Sequence, residues 1–336
     1  MNKINSGNKG IKNLGNTCYM NSILQCLSHL ITFHPNNEKF YQSCKLCKEN
    51  SLMNQWFQFQ RLMWSNDNNN NLCPIKLLQC FNNYCSKKKI YFDSFDQNDV
   101  SDFLIFFLDF IHGDIKKKVI MEFSEEIEDE HDKICVKSNQ SWKKFYENNY
   151  SYIIEYFHSQ LIDITSCSMC DYYTTTHDPI TIITLDVNEC NSIKDCLDKY
   201  IKKYLLDDQN MWKCDKCKRE NRPIKQSKIW KTSDIIIILL KIYNKNSQKI
   251  NKSIKYDIIL DMDNYIINND NDNNKYSLES YCIHNGSVLN GHYYSVCKNY
   301  LDKNWYLFND EDVILLDNND VLNKNPYLFF YKRINN

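Results

Sequence analysis

Two Cys-x-x-Cys motifs, far apart in the chain, constrain its fold more than any other feature of the sequence. The first is Cys167-Ser-Met-Cys170 and the second is Cys214-Asp-Lys-Cys217. Four thiolates suit a tetrahedral Zn²⁺ ion, and one Cys-x-x-Cys turn can supply two of them. A metal bound in this way would bring the two segments together. Because four cysteine ligands leave no open coordination position, we expect a structural zinc ion.

The motifs also have other readings. Each pair could be incidental, or redox-active as in thioredoxin-like proteins, and the stretch between them is longer than in a compact zinc ribbon. A third motif, Cys44-Lys-Leu-Cys47, lacks a well-placed second pair, although Cys73, Cys80 and Cys85 follow it. We therefore expect one zinc ion and no second metal.

Charge and apolar runs indicate the environment that suits the chain. It has 41 basic and 42 acidic residues, a formal net charge of -1, which gives no electrostatic reason for binding nucleic acid or an anionic membrane. The start, MNKINSGNKG, lacks the apolar core of a secretory signal. The longest apolar run, IIIILL at 235–240, is too short to span a bilayer. We expect a soluble, intracellular monomer in the cytoplasm, with a nuclear location left open.

The chain is rich in cysteine, with 16 residues of this type. In a short secreted protein such a number would indicate a disulfide framework, but the length of this chain and the missing signal argue against that. In a reducing compartment, we expect these cysteines to be catalytic, metal-bound or simply buried.

Hydrophobic periodicity divides the chain into a helical first part and a strand-rich second part. Apolar residues at i, i+3, i+4 and i+7 predict helices at residues 20–31 and 103–111. From about residue 150, β-branched and aromatic residues predict strands instead. Helices followed by strands indicate an α+β protein. The predicted strands include 180–187, 234–243, 292–300 and 304–310.

Three polar stretches lack the apolar content needed to pack, and they predict loops. They are residues 65–71, 122–133 and 268–274. The acidic stretch at 122–133 could instead be the solvated face of a helix, which is the usual meaning of a charge run.

Cys18 is a candidate nucleophile. Asn16 and Thr17 precede the helical pattern that begins at Met20, so either could cap the helix and place Cys18 in its first turn. The positive end of a helix favours the thiolate, which is the form that attacks carbonyl groups. This position alone does not distinguish Cys18 from a buried structural cysteine, which is the commoner role.

The residues around Cys18 are more specific. The stretch GIKNLGNTCYMNS at 10–22 resembles the cysteine box of ubiquitin-specific proteases. This resemblance implies that Cys18 is the nucleophile and that Asn13 donates its side-chain amide to the oxyanion. A preorganised donor at that position is typically worth about 3 kcal/mol. Without the resemblance, Asn13 would be interpreted as an exposed turn residue.

A cysteine nucleophile needs a general base, and composition does not choose among the eight histidines. The stretch GHYYSV at 291–296 resembles the histidine box of the same family, which implies that His292 is the base. His284 is the alternative. Gly291 would permit close approach of the substrate backbone. Tyr293 is expected to line a narrow channel for a Gly-Gly terminus, although an aromatic residue in a strand is more often part of the core.

The base needs a residue that orients it. The stretch WYLFND at 305–310 resembles the closing strand of the family, where many members have Asp at the position of Asn309. We expect Asn309 to accept a hydrogen bond from Nδ1–H of His292. Because Asn carries no charge, it would stabilise the imidazolium less than Asp. Asp310 is the alternative for this role and could assist.

The stretch QNDVSD at 97–102 resembles the Gln/Asp box of the family, although the family usually has Glu at the position of Asp102. The resemblance implies that Gln97, Asp99 and Asp102 bind substrate, with the acids directed at arginines of the ubiquitin tail. Carboxylate–guanidinium pairs are bidentate and therefore selective in geometry. Both acids could also simply favour the N-terminus of a helix.

The resemblance extends from Gly10 to about Val313 and implies a papain-like fold with a thumb, a palm and fingers. The implied single catalytic domain covers 1–336, with a helical thumb at about 1–120, zinc-bearing β fingers at about 150–235 and an antiparallel β palm at about 235–336. Papain-type enzymes place the histidine roughly 130–150 residues after the cysteine. Since Cys18 and His292 are much farther apart, a long insertion with the paired cysteine motifs must separate them.

The implied activity is that of a deubiquitinating cysteine protease. It would hydrolyse the peptide or isopeptide bond after the terminal glycine of ubiquitin through a Cys18 thioester, with ubiquitin and ubiquitinated proteins as partners and no cofactor in the chemistry. The alternatives are a ubiquitin-binding pseudoenzyme, a protease for another ubiquitin-like modifier and a zinc-dependent hydrolase. The catalytic residues argue against the first, and a closed four-cysteine site argues against the last.

Overall fold

The computed structural model describes residues 6–67, 69–92, 96–244, 246, 248–268, 273–287 and 291–334. Helices dominate up to residue 157 and strands dominate from residue 159 onward, so the predicted α+β class is confirmed. The α-helices are α1 (Cys18–Ser28), α2 (Glu38–Lys45), α3 (Leu52–Met63), α4 (Ile75–Lys88), α5 (Val100–Ile115), α6 (Glu130–Tyr146), α7 (Tyr152–Phe157), α8 (Ile193–Tyr200) and α9 (Asn318–Val321).

The strands form two larger sheets and two short pairings among the described residues. Short 3₁₀ turns lie at Ile31–Phe33 and Asp208–Asn210. The strands are β1 (Gly10–Ile11), β2 (Asn71–Leu72), β3 (Ser159–Ser166), β4 (Tyr173–Ile180), β5 (Ile182–Asp186), β6 (Tyr204–Leu205), β7 (Trp212–Lys213), β8 (Glu220–Asn221), β9 (Ile224–Lys231), β10 (Ile235–Lys241), β11 (Ile259–Asp261), β12 (Lys275–Gly286), β13 (Gly291–Lys298), β14 (Trp305–Asn309), β15 (Asp312–Leu316) and β16 (Pro326–Arg333).

Eight of the described strands make one sheet, called the large sheet below. Its order is β15-β14-β13-β12-β16-β10-β5, with β11 paired to β12. The pairing is antiparallel except between β5 and β10, where Ile182 lies opposite Ile237 in parallel register. The strand β5 falls within the range predicted for the fingers, yet it belongs to the large sheet. Parallel neighbours need a long crossover connection, and α8 and the strands β6, β7, β8 and β9 lie in that crossover.

The small sheet has the order β4-β3-β9-β6 within the described residues. The first Cys-x-x-Cys motif lies in the turn between β3 and β4. The second lies between β7 and β8, which pair with each other through Trp212 and Asn221. Both motifs are therefore in turns that join antiparallel strands.

Helix α1 lies at the centre of the molecule. All eleven of its residues are buried, and it packs against β13 and β12 of the large sheet and against α5. One apolar cluster extends from the helices through α1 into the large sheet. A helix that is covered on every side cannot shift without disturbing the core. The first turn of α1 is therefore held firmly beside β13.

Several predicted segments can be compared directly with this fold. The predicted helices correspond to α1 and α5, and the four predicted strands overlap β5, β10, β13 and β14. Most of the predicted loop at 268–274 lies outside the described residues. Each described helix is too short or too polar to cross a membrane.

The acidic stretch at 122–133 is a loop only up to residue 129. Helix α6 begins at Glu130, because Asp129 accepts a hydrogen bond from the backbone of Asp132 and the Asp132 side chain accepts from the backbone of Asp129. This reciprocal arrangement is a capping box that starts a helix. The loop prediction is therefore wrong for residues 130–133, where the helix alternative is right.

Candidate active site and metal centre

Cys18 is the first residue of α1 and is 5% exposed. The chain reaches it through Gly15 and Asn16, which have the left-handed φ angles of 100° and 52°. Thr17 occupies the N-cap position, but its hydroxyl accepts from the backbone N–H of Leu14 at 2.9 Å and does not cap the helix. Thr17 is thus at a predicted cap position without making a capping contact, and the predicted start of the helix is right.

His292 lies on β13, next to Cys18. A hydrogen bond with the Cys18 side chain raises the pKa of His292 to about 9, against the opposing effect of burial. The contact with Asn309 and the charges of Cys18 and Asp310 raise this pKa further. The protonated imidazole is therefore favoured at neutral pH.

Asn309, the last residue of β14, contacts the far side of the His292 ring. Its Oδ1 lies 2.5 Å from Nε2 of His292. An amide oxygen only accepts hydrogen bonds, so Nε2 carries a proton in this contact and Nδ1 is left for the thiol. The sequence prediction named Nδ1 as the partner of Asn309 and is wrong on this point. The ring is rotated so that Nε2, not Nδ1, faces Asn309 at the end of β14.

Asp310 follows Asn309 but has a different set of contacts. Its φ is 51°, which turns the chain out of β14. Its Oδ2 accepts from Nδ2 of Asn13 at 2.9 Å, and its Oδ1 accepts from Nδ2 of Asn21 at 2.8 Å. Its backbone carbonyl accepts from Ile11 N–H at 2.7 Å. Of the two neighbours, Asn309 contacts His292, and Asp310 joins β14 to the segment that precedes Cys18.

Asn13 is exposed in the turn before Cys18. Its Oδ1 accepts from the backbone N–H groups of Gly15 and Thr17 at 3.0 and 3.1 Å. This fixes which end of the amide carries the nitrogen, and one of its two N–H groups goes to Asp310. An amide nitrogen has a second N–H. Asn13 can therefore donate to a substrate oxygen near Cys18 without giving up its contact with Asp310.

The alternative base, His284, is occupied elsewhere. Its Nδ1 lies 2.6 Å from the Tyr243 hydroxyl, and its ring centroid is 4.4 Å from that of Tyr293. Burial lowers the pKa of His284 to about 4. A buried, neutral histidine in an aromatic cluster packs the wall of the cleft, so the geometry favours His292 as the base.

Gly291 has a structural reason to be glycine beyond the one predicted. A Cβ at this position would lie 1.9 Å from Nε2 of His284, so the His284 ring fills the space that a side chain would need. The backbone N–H of Gly291 donates to Oε1 of Gln97 at 3.1 Å. This contact joins the segment before α5 to the start of β13, one residue from His292.

Asp99 caps α5 and also accepts hydrogen bonds from two tyrosines of the large sheet. Its Oδ1 accepts from the backbone N–H and hydroxyl of Ser101 at 2.7 and 2.6 Å. Its Oδ2 accepts from the hydroxyls of Tyr327 and Tyr293 at 2.7 and 3.3 Å. Four donors match the roughly four acceptor positions of a carboxylate. Asp102, in the first turn of α5, is exposed instead.

Two residues of this cleft were missed by sequence reasoning. Tyr243 and Tyr327 hold His284 and Asp99, yet they come from segments that showed no motif. The chain has 23 tyrosines, so residue type gave no signal. Only the packing of β16 beside β12 brings Tyr327 to the cleft.

The four cysteines of the paired motifs form one cluster. Their sulfur atoms all lie within 4.8 Å of one another, with Cys167 and Cys217 at 3.8 Å and Cys170 and Cys214 at 3.6 Å. Zn–S bonds of about 2.3 Å in a tetrahedron place sulfurs about 3.8 Å apart. The donor set and its spacing therefore fit zinc. In the described part of the chain, Cys44 and Cys47 belong to no such cluster.

The two turns are fixed by contacts around the cluster. Oδ1 of Asn221 accepts from the backbone N–H of Ser168 at 3.1 Å, while its Nδ2 donates to the carbonyl of Trp212 at 3.1 Å. Lys216 forms an ion pair with Asp171 at 2.6 Å. These contacts link the first motif to the second and help to hold the four sulfurs at their spacing.

The family model described as "Ubiquitin carboxyl-terminal hydrolase" matches residues 9–331. The chain is 28% identical to ubiquitin carboxyl-terminal hydrolase Usp2 of Drosophila melanogaster over 96% of its own length and 34% of that relative. It is 27% identical to ubiquitin carboxyl-terminal hydrolase 2 of Bos taurus, covering 97% of this chain and 55% of the relative. The chain thus spans about a third to half the length of these relatives.

The fold is similar to that of solved structures. In the SAGA DUB module of Ubp8, Sgf11, Sus1 and Sgf73 bound to monoubiquitin, the matched chain is 25% identical, with a TM-score of 0.78. The similarity covers all of this chain and 71% of the other. The same module bound to ubiquitin aldehyde gives a TM-score of 0.74.

The His292 pKa provides a test of the geometry beside Cys18. Because the first cause of the raised pKa is the hydrogen bond with Cys18, Cys18→Ala should lower it from about 9 toward the ordinary value of about 6.5. NMR titration of the imidazole in the two proteins measures this. A His292 pKa that is the same in both would contradict a thiol–imidazole pair.

The metal centre predicts about one bound Zn²⁺ per chain, from the four-ligand count of a structural site. Cys214→Ser should lower the zinc content and the melting temperature, because metal binding and local folding are coupled. Cys73→Ser, at an exposed cysteine outside the cluster, is the control and should change neither. Elemental analysis that finds folded protein without zinc would disprove this prediction.

Proposed function

The chain belongs to the ubiquitin carboxyl-terminal hydrolase family, and from this membership we propose that it is a cysteine-type deubiquitinase. It hydrolyses the peptide or isopeptide bond after the terminal glycine of ubiquitin. The proposal rests on two contacts of His292. One is with Asn309, and the other is with Cys18 at the start of a buried helix. A nucleophile, a base and an orienting residue in contact are what thiol proteolysis requires.

In the proposed reaction, the Cys18 thiolate attacks the carbonyl carbon of the terminal glycine. His292, protonated on both nitrogens beside the thiolate, gives the Nδ1 proton to the departing amine. The thioester that forms is then attacked by water, from which Nδ1 takes a proton, and the thiolate leaves as ubiquitin is released. Asn309 keeps Nε2–H directed away from Cys18 throughout, so that Nδ1 remains the nitrogen that exchanges protons.

We assign to Asn13 the hydrogen bond that stabilises the oxyanion of each tetrahedral intermediate. Its second N–H is not used by Asp310, and its oxygen is held by the N–H groups of Gly15 and Thr17. The donor is therefore fixed before substrate binds. Preorganised donors are effective because they need no reorientation as the negative charge develops.

The substrate tail is proposed to lie between α5 and β13. Gln97, Gly291 and Tyr293 line this passage, and the hydrogen bond from Gly291 to Gln97 marks where the two sides meet. Asp99 has its acceptor positions filled by protein donors, which supports a role in shaping the passage. Asp102 is exposed, and we assign it to an arginine of the tail, since carboxylate–guanidinium pairing needs accessible oxygens.

Ubiquitin and ubiquitinated proteins are the proposed partners, with one structural zinc ion. The proposed domain is a single catalytic unit: the helices before residue 120 are the thumb, the small sheet with the cysteine cluster is the fingers, and the large sheet is the palm. We further propose a monomer that works in the reducing cytoplasm, where the free cysteines of this chain would stay reduced.

The proposed function is tested with ubiquitin that carries a thiol-reactive group at its carboxy terminus, beside matched probes built on other ubiquitin-like modifiers. We expect covalent labelling by the ubiquitin probe, cleavage of a ubiquitin–fluorophore substrate and loss of both in Cys18→Ala. Ubiquitin binding should persist in that variant, because the docking surface is unchanged.

Each other outcome has a defined meaning. Preferential labelling by a different modifier would replace ubiquitin as the substrate. Tight ubiquitin binding without labelling would indicate a pseudoenzyme. Cleavage within tenfold of wild type by Cys18→Ala would refute the assignment of the nucleophile. Labelling of Cys73→Ser, in which only an exposed cysteine is removed, should match wild type.

Substitutions of Asp99 and Asp102 should have different effects on KM and on melting temperature. Asp102→Asn should raise KM by about tenfold with little effect on kcat or melting temperature, since a lost ion pair to a bound tail is worth about 1–2 kcal/mol. Asp99→Asn should lower the melting temperature, because an amide has a single acceptor oxygen and cannot serve both the cap of α5 and the two tyrosine hydroxyls. Steady-state kinetics and thermal melting of both variants would reveal the reverse pattern if the roles are exchanged.

A further inference from the structure

Asn21 is a buried polar residue that the proposed reaction does not use. It lies one turn after Cys18 on α1 and is 3% exposed. Its Nδ2 faces three acceptors: Oδ1 of Asp310 at 2.8 Å and the carbonyls of Ile11 and Lys12 at 3.3 Å. Within the described part of the chain, its Oδ1 has no hydrogen-bond partner. All the hydrogen bonds of this side chain among the described residues are therefore made by its nitrogen.

The shortest of these contacts is to the carboxylate that also holds Asn13. Asp310 has one oxygen on Asn21 and the other on Asn13. Its position is not set by an extended strand, because its φ is in the left-handed region at 51°. Two amides, one from α1 and one from the turn before it, therefore decide how the plane of this carboxylate is oriented.

We propose that Asn21 is a positioning residue for the hydrolysis. It holds Oδ1 of Asp310 and thereby turns Oδ2 toward the amide of Asn13, which leaves the second N–H of Asn13 directed at the oxyanion. This inference rests on the proposed function. Asn21 touches no reacting atom itself. It acts through two hydrogen bonds, and its connection to Cys18 through one turn of α1 keeps the oxyanion donor in register with the nucleophile.

The chain offers a matched control on the same helix. Gln25 is one turn farther along α1, is 2% exposed and donates from Nε2 to the carbonyl of Lys9 at 2.8 Å. Its amide oxygen also lacks a partner in the described structure. Asn21 and Gln25 are thus both buried amides that tie α1 to the segment before it, but only Asn21 has a contact with Asp310.

The decisive experiment exchanges the two groups of the Asn21–Asp310 pair. Asn21→Asp places two carboxylates at bonding distance, and Asp310→Asn leaves a single acceptor oxygen for the two amide nitrogens of Asn13 and Asn21. Each should lower kcat by about 10- to 100-fold, the loss of one hydrogen bond to a charged group. The double variant Asn21→Asp/Asp310→Asn again places a donor against an acceptor and leaves an amide oxygen for Asn13, but the carbonyls of Ile11 and Lys12 lose their donor. Its kcat should therefore exceed that of both single variants without reaching the wild-type value.

The readouts separate positioning from general stability. KM on ubiquitin–fluorophore should stay within about twofold in every variant, because the pair does not contact the tail. Gln25→Ala should lower the melting temperature and keep kcat within about twofold of wild type. Asn21→Ala, which removes the donor without adding a charge, should lower kcat by about tenfold and serves if Asn21→Asp does not fold.

Two results would overturn the inference: full kcat in Asn21→Ala, or a folded double variant that is as slow as the slower single variant. Wild-type turnover is measured first. Its absence contradicts the proposed function, whereas wild-type turnover without recovery in the double variant contradicts only the role of Asn21.

Discussion

The burial of α1 is the constraint on which the rest of the site depends. In the proposed reaction, the thiol of Cys18 is useful only if the helix cannot move relative to His292, which is on a strand far away in the sequence. Because α1 is covered by α5 on one side and by β12 and β13 on the other, the position of Cys18 is set by the core. The cost is that polar residues such as Asn21 and Gln25 are buried with it, and each must find an acceptor.

The end of β14 shows how one local change in the backbone separates two functions. Asn309 still follows the alternation of the strand and reaches the imidazole of His292. At Asp310 the backbone adopts a left-handed φ, so the next side chain points toward the turn before α1 instead of the opposite face of the sheet. One position thus contacts His292 and the next holds the amide of Asn13. Both follow Phe308, which pairs with Ser295 of β13.

The cysteine cluster connects two turns in the middle of the chain. The turns between β3 and β4 and between β7 and β8 have little apolar material of their own, and four sulfurs within 4.8 Å give them a common centre. The passage between α5 and β13 is built differently, from tyrosine hydroxyls on Asp99 and a histidine ring against Gly291. A metal is suited to stabilise the turns of the small sheet, because they cannot bury enough apolar surface. The passage borders the core and is stabilised by packing instead.

The sequence by itself determined the fold class, the family and the residues gathered at the site. The motifs around Cys18 and His292 are specific, and hydrophobic periodicity is a local property that survives in a single sequence. The tertiary structure alone decided which nitrogen of His292 faces Asn309, that Asp310 holds Asn13 and Asn21, that His284 is a packing residue, and that Tyr243 and Tyr327 belong to the cleft. These outcomes depend on how a ring is rotated between two strands and on which distant side chains meet. Such contacts are set by the packing of elements that are remote in sequence, so no local pattern carries them.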